Sequence, residues 1–221
     1  MSDEPQNDNS PKSTIPVVVF SDFVCPYSYI GQQEMDLLMR DYDIEPVWRP
    51  HWLRPETPPE GIARPNADPE RQAATLSWLQ EMAPEMAAHM RFPDKLQFSF
   101  FAFQAMEYAQ DRGKATPLRR AIFDALWLEG KDIGLLSTLQ EAAEKAGLDP
   151  EGLARALYDE AYMERTVEAV ESARRAGITG TPTVILGGTA IVGWHYYEVM
   201  QTVLEQQGVL PKSAASVAGQ G

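Results

Sequence analysis

An α/β fold interrupted by a long all-helical insertion is what this sequence predicts, and three observations carry the prediction. An apolar run at residues 15–20 (IPVVVF) feeds directly into a segment with helical periodicity. From about residue 70 to residue 175 the signals are helical almost throughout. Strand character then returns as two short β-type runs around Gly187-Gly188, with a closing helix behind them. The order is a βαβ half, a helical insertion and a ββα half. We therefore expect an α/β domain over 14–58 and 176–211, a helical domain over 59–175, and disordered tails at 1–13 and 212–221.

Taken in order, the opening strand spans about 16–21, and its unbroken apolar run suits a strand covered on both faces. A helix follows over about 26–42. Proline at its first turn is compatible, because that position needs no N–H donor. Ile30, Met35, Leu37 and Leu38 give this helix an apolar side. Residues 44–53 (IEPVWRPHWL) have strand-like side chains, but Pro46 and Pro50 demote them to a sheet edge. The proline-rich stretch 55–69 reads as a connector.

Helical spacing of apolar residues then recurs at 71–90, 100–110, 118–130, 136–147 and 149–160. Gly113, Gly130 and Gly147 supply C-terminal stops. Asp149 followed by Pro150 supplies an N-cap and a first-turn proline. The pair Gly187-Gly188 between short β runs is a hairpin signal, and the last helix spans about 196–207.

Composition narrows the function classes. With 221 residues, 44% of them hydrophobic and 23% charged, the chain has an ordinary globular mix. A net charge of -13 opposes binding to nucleic-acid phosphates or to an anionic membrane face. The polar, acidic start (MSDEPQNDNSPK) lacks the basic and apolar regions of a secretory signal, so a cytoplasmic location is expected. A single cysteine, Cys25, excludes an internal disulfide and any cysteine-rich metal site.

Cys25 is the most informative residue. It stands in SDFVCPYSYIG, between the first strand and the first helix. There the free N–H groups and positive dipole end of the helix favour an anion, so a thiolate is favoured and a depressed pKa is expected. Two segments, DFVCPYSYIG (22–31) and GITGTPT (177–183), together with this order of elements, resemble the thioredoxin superfamily. More narrowly the chain is similar to its DsbA-like branch, which carries a helical domain in mid-fold. Residues 50–61 (PHWLRPETPPEG) and 129–133 (EGKDI) are similar to segments of the FrnE-like subgroup of cytoplasmic disulfide oxidoreductases.

The resemblance implies a thioredoxin-like fold, a cis bond at Thr181-Pro182 facing Cys25, and disulfide exchange with protein thiols, protein disulfides or glutathione. It implies no bound cofactor beyond glutathione as a cosubstrate, and it leaves room for a homodimer. Cys25 would be the nucleophile, with Pro26 and Tyr27 flanking it and Thr181 and Pro182 docking the substrate backbone.

The departure from the family pattern is Ser28, which occupies the place of the second, resolving cysteine. Natural or introduced, a serine there leaves monothiol chemistry, in which an external thiol resolves the mixed disulfide. Ser28 can still donate a hydrogen bond to the Cys25 thiolate. The run Cys25-Pro26-Tyr27-Ser28-Tyr29 also resembles the Ser-Pro-Tyr-Ser-Tyr motif of kappa-class glutathione transferases and 2-hydroxychromene-2-carboxylate isomerases. That resemblance implies an alternative activity, a glutathione-dependent isomerase or transferase. Residues 193–196 (GWHY), after the last strand, lack the carboxylate that related enzymes use to hold glutathione. A third reading is a redox-inactive module that binds extended peptides beside Pro182.

Other features point to packing more than to chemistry. Phe98, Phe100, Phe101 and Phe103 read as core, with an apolar wall over Cys25 as the sharper alternative. Trp48 and Trp52 flank Pro50 as packing residues. His51, His89 and His195 share no metal-ligand spacing, and His195 is a candidate neighbour of the active loop.

Overall fold

The computed structural model describes residues 15–63 and 69–213, so the expected tail at 1–13 and most of that at 212–221 lie outside the described residues. Lys212 is an exception: it donates from Nζ to the carbonyls of Met39 and Arg40, so the chain remains packed past residue 211.

The apolar run forms β1 (Val17–Ser21) at the interior of a four-stranded sheet. Its residues are buried or half-buried along the whole strand, as a two-sided strand requires. Helix α1 (Pro26–Asp41) crosses over to β2 (Val47–Pro50), which pairs parallel to β1 with Val19 opposite Trp48. The proline-flanked β2 is a sheet edge. On the other side of β1 lies β5 (Thr183–Leu186), antiparallel, with Val19 opposite Val184. β6 (Thr189–Val192) forms the second edge.

Gly187 and Gly188 join β5 to β6 with φ of 51° and 96°, the left-handed backbone that a two-residue hairpin needs. Helix α9 (Tyr197–Gln206) closes the chain and packs on α1. Tyr42 donates its hydroxyl hydrogen to Glu205, and Tyr197 donates to Asp41. The backbone N–H of Tyr197, at the start of α9, donates to Glu34.

Between β2 and β5 the chain is mostly helical: α2 (Pro69–Met82), α3 (Pro84–Ala87), α4 (Phe100–Gln110), α5 (Ala115–Trp127), α6 (Leu136–Lys145), α7 (Pro150–Tyr158) and α8 (Met163–Arg175). The helix expected over 71–90 is broken at Ala83-Pro84, because a proline in mid-helix cannot supply its N–H. Two short strands escaped the sequence reading. β3 (Ile62–Ala63), within the expected connector, pairs with β4 (Lys95–Leu96), and two residues give no periodicity to detect.

The insertion is fastened to the sheet layer by α5. The Arg119 guanidinium, 1% exposed, lies 3.9 Å over the Trp48 ring, donates to Asp36 at 2.9 Å and to Gln32 at 3.3 Å. Burial pulls its pKa down to about 10, which still leaves it charged at neutral pH. Trp127 donates its indole N–H to the Phe23 carbonyl at 2.9 Å, and the Phe123 ring lies 4.8 Å from that of Phe23. The turn that leads to Cys25 is thus held from beneath by α5.

Candidate active site

β1 delivers its chain end to a turn at Asp22–Cys25, closed by the Cys25 N–H donating to the Asp22 carbonyl at 3.1 Å. Cys25 is the N-cap of α1, with extended φ and ψ of -90° and 117°, and Pro26 is the first helical residue. The Cys25 carbonyl accepts from the N–H groups of Ser28 and Tyr29. Its thiol is 5% exposed and donates to the Thr181 carbonyl at 3.4 Å, across 156 positions of sequence.

The Thr181–Pro182 bond is cis. The loop is pinned by the Thr183 hydroxyl, which donates to Gly180, and by the Gly193 N–H, which donates to the Pro182 carbonyl. Gly31 of α1 lets the proline approach: a Cβ there would sit 3.3 Å from Pro182 Cγ and 3.6 Å from Trp194 Cδ1. Fold and loop therefore bring together Cys25, Ser28, Thr181 and Pro182, with Pro26 and Tyr27 half-buried beside them.

The electrostatics correct one expectation. Burial is the largest influence on Cys25, and it pushes the thiol above its ordinary value. The hydroxyls of Thr181 and Ser28 and the Ser28 N–H act the other way, and the Asp22 charge adds a further upward push. The helix terminus does receive the sulfur, but in a place too dry for the depressed pKa that the sequence suggested. Neither hydroxyl closes a hydrogen bond: Ser28 Oγ and Thr181 Oγ1 are buried without a partner among the described residues.

Asp22 is a site residue whose importance sequence reasoning missed. It is fully buried, accepting from Leu53 N–H at 2.9 Å and Val24 N–H at 3.2 Å. Burial raises its carboxyl to about 6 against these hydrogen bonds and the nearby Ser99 hydroxyl. The available signal is a lone acid closing an apolar strand three residues before the cysteine. A second missed group is aromatic. Trp78 of α2 meets Tyr27 edge-on at 4.9 Å, and it meets Trp194, in the loop after β6, edge-on at 5.4 Å. No local pattern announces a contact between residues so far apart in sequence.

A narrow cavity of about 10 Å³, about one water molecule's worth, lies between α1 and the sheet, lined by Ser28, Gly31, Pro182, Trp194 and His195 among others. His195 is thus beside the site, its Nε2 3.1 Å from the Val192 carbonyl. The backbone N–H of His51 donates to Ser21, and His89 is exposed. Phe98 and Phe100 pack on Trp52, and Phe103 on Phe23, which fits the packing reading of these aromatics. Among the described residues no three His, Cys, Asp or Glu side chains are grouped to hold a metal ion.

Comparison with known proteins places this geometry in context. Residues 16–205 match the family described as DSBA-like thioredoxin domain. The uncharacterized protein YwbO of Bacillus subtilis is 28% identical over 197 residues, covering 88% of this chain and 98% of its own. Among solved structures, a probable DsbA oxidoreductase from Streptomyces coelicolor superposes with a TM-score of 0.76 at 24% identity, over 86% of this chain and 88% of that one. A 2-hydroxychromene-2-carboxylate isomerase superposes with a TM-score of 0.70 at 21% identity, over 93% and 98%. At these identities the two structures speak for the fold.

Proposed function

This chain belongs to the DSBA-like thioredoxin domain family, and from that premise we propose that it is a monothiol thiol-disulfide oxidoreductase of the FrnE-like type, acting in the cytoplasm. The observation that carries the proposal is the 3.4 Å contact between the Cys25 thiol and the Thr181 carbonyl, next to Pro182. It joins the one thiol of the chain to a backbone acceptor at a sheet end, where an extended substrate can pair.

In the proposed reaction the Cys25 thiol first loses its proton, helped by the Ser28 and Thr181 hydroxyls that face it. The thiolate attacks one sulfur of a substrate disulfide, forming a mixed disulfide and expelling the other sulfur as a thiolate. Ser28 cannot resolve that intermediate. An external thiol, glutathione or another, attacks the substrate sulfur, releases Cys25 and leaves as the new disulfide. Pro26 and Tyr27 flank the sulfur, and Thr181 and Pro182 dock the substrate backbone. The helical insertion, 59–175, frames the site.

One observation favours the second reading, a glutathione-dependent isomerase or transferase. Ser28 Oγ and Thr181 Oγ1 are two buried donors awaiting an acceptor, and a bound glutathione thiolate would supply one. Glutathione-driven reduction of bis(2-hydroxyethyl) disulfide separates the two. We expect turnover in the wild-type chain, none in Cys25→Ala, and in Ser28→Cys a turnover that depends less on glutathione because an internal thiol now resolves the intermediate. Full activity in Cys25→Ala refutes the monothiol reading. Glutathione retained by Cys25→Ala in equilibrium dialysis would favour the second.

A further inference from the structure

The site just described is closed. Cys25 is only 5% exposed, yet attack on a disulfide needs the incoming sulfur in line with it. Two walls flank the thiol. One is the first turn of α1, which carries Cys25 and Tyr27. The other is the Pro182 loop, where Trp194 and Pro182 both lie against Gly31.

Trp78 bridges these walls. Its ring stands edge-on to Tyr27 (4.9 Å, 77°) and edge-on to Trp194 (5.4 Å, 88°). It belongs to neither wall: α2 comes from the helical insertion. One turn further along α2, Met82 accepts the Tyr196 hydroxyl at its sulfur, a second contact between this helix and the loop after β6. Ala73, Ala74, Ser77 and Gln80 of α2 face solvent, while Leu79 is fully buried and anchors the helix in the core. A second observation marks polar groups at the same place. Trp194 Nε1 and Ser28 Oγ are buried donors with no partner among the described residues, and both border the cavity beneath Pro182.

We infer that Trp78 is a specificity-determining gate, which admits low-molecular-weight disulfides and thiols to Cys25 and excludes the disulfides of folded proteins. The inference rests on the monothiol reading and deepens it by naming the substrate class. A small disulfide needs only a shift of one ring. A folded protein needs α2 lifted, with Trp78 drawn away from both Tyr27 and Trp194.

The test uses the full chain and two reagents with one chemistry, N-ethylmaleimide and a long-chain poly(ethylene glycol) maleimide. Because Cys25 is the single cysteine, the site of modification is unambiguous. Relative to the urea-unfolded chain, the wild type should be protected far more against the polymer than against the small reagent. Trp78→Ala removes both edge-to-face ring pairs and should speed polymer modification by about tenfold to a hundredfold, with little change for N-ethylmaleimide. Trp78→Phe, which keeps an aromatic edge, should behave like the wild type.

Equal acceleration of both reagents, or of neither, in a folded Trp78→Ala overturns the gate. If that variant unfolds, as circular dichroism will show, Met82→Ala decides instead: it loosens α2 at Tyr196 and should favour the polymer selectively, and equal effects on both reagents overturn the gate. A folded chain inert to N-ethylmaleimide with and without Trp78 refutes the reactive-thiol reading itself, and the gate falls with it. Reaction with N-ethylmaleimide but an unchanged ratio refutes the gate alone.

Discussion

Asp22→Asn should remove a loss of stability that the wild type suffers between pH 3.8 and about 6. Each pKa unit of difference between folded and unfolded states is worth about 1.4 kcal/mol. Asp22 is fully buried, and its carboxyl rises from 3.8 to about 6, so about 3 kcal/mol is at stake. The sign follows from which state holds the proton. Below pH 3.8 both states are protonated and Asp22 contributes no slope. Between 3.8 and about 6 the unfolded chain releases the proton while the folded chain keeps it, so stability falls as pH rises. Above that window both states are ionised and the whole amount has been lost.

The asparagine places an amide NH2 where one carboxylate oxygen accepts from Val24 or Leu53. That mismatch costs about 1–3 kcal/mol, but the cost does not vary with pH. Urea unfolding of both chains at a series of pH values from acid to neutral measures the difference. Wild type should lose about 3 kcal/mol relative to Asp22→Asn across the window. Parallel profiles for the two chains would refute the claim that burial dominates the Asp22 carboxyl.

Further outcomes follow from the same structure. The rate of Cys25 alkylation against pH should show a midpoint above the free-cysteine value of about 8.5, because burial outweighs the hydroxyls of Thr181 and Ser28; the midpoint should fall in Asp22→Asn, which removes a nearby negative charge. Arg119→Ala should destabilise by about 3 kcal/mol, at the lower end for breaking a buried pair, since Asp36 keeps Arg120 at 2.9 Å. Arg119→Met, which refills the space over Trp48, should cost clearly less, and the two midpoints in urea compare them directly.

Much of this molecule was legible in the sequence because its signals are local. The apolar run of β1, Pro26 at the start of α1, the Gly187-Gly188 turn and the Asp149 cap each act within a few residues, and each stands where the pattern put it. The juxtaposition of Cys25 with Thr181 and Pro182 came from resemblance, since nothing local links positions 156 apart. What the sequence did not disclose depends on tertiary burial. Asp22 reads as a turn residue until Leu53 and Ser99 are packed around it. Trp78 reads as one more apolar position on a helix until Tyr27 and Trp194 are found on either side of it.

The thiol itself shows why the local signal misled. A charge at a helix terminus gains up to about 2 kcal/mol in favourable geometry, which is about one and a half pKa units. Full burial of an ionisable group costs about 3–5 units, so at 5% exposure the surroundings outweigh the helix. Burial is the largest influence on this sulfur, and relieving it removes that upward push. Whatever lets solvent or substrate reach it therefore changes its chemistry as well as its access. Aromatic rings on three separate elements, Tyr27 on α1, Trp78 on α2 and Trp194 after β6, form one chain of contacts that starts two residues from that sulfur. The Cys-Pro-Tyr-Ser motif places the sulfur, and burial sets how much of its thiolate is available.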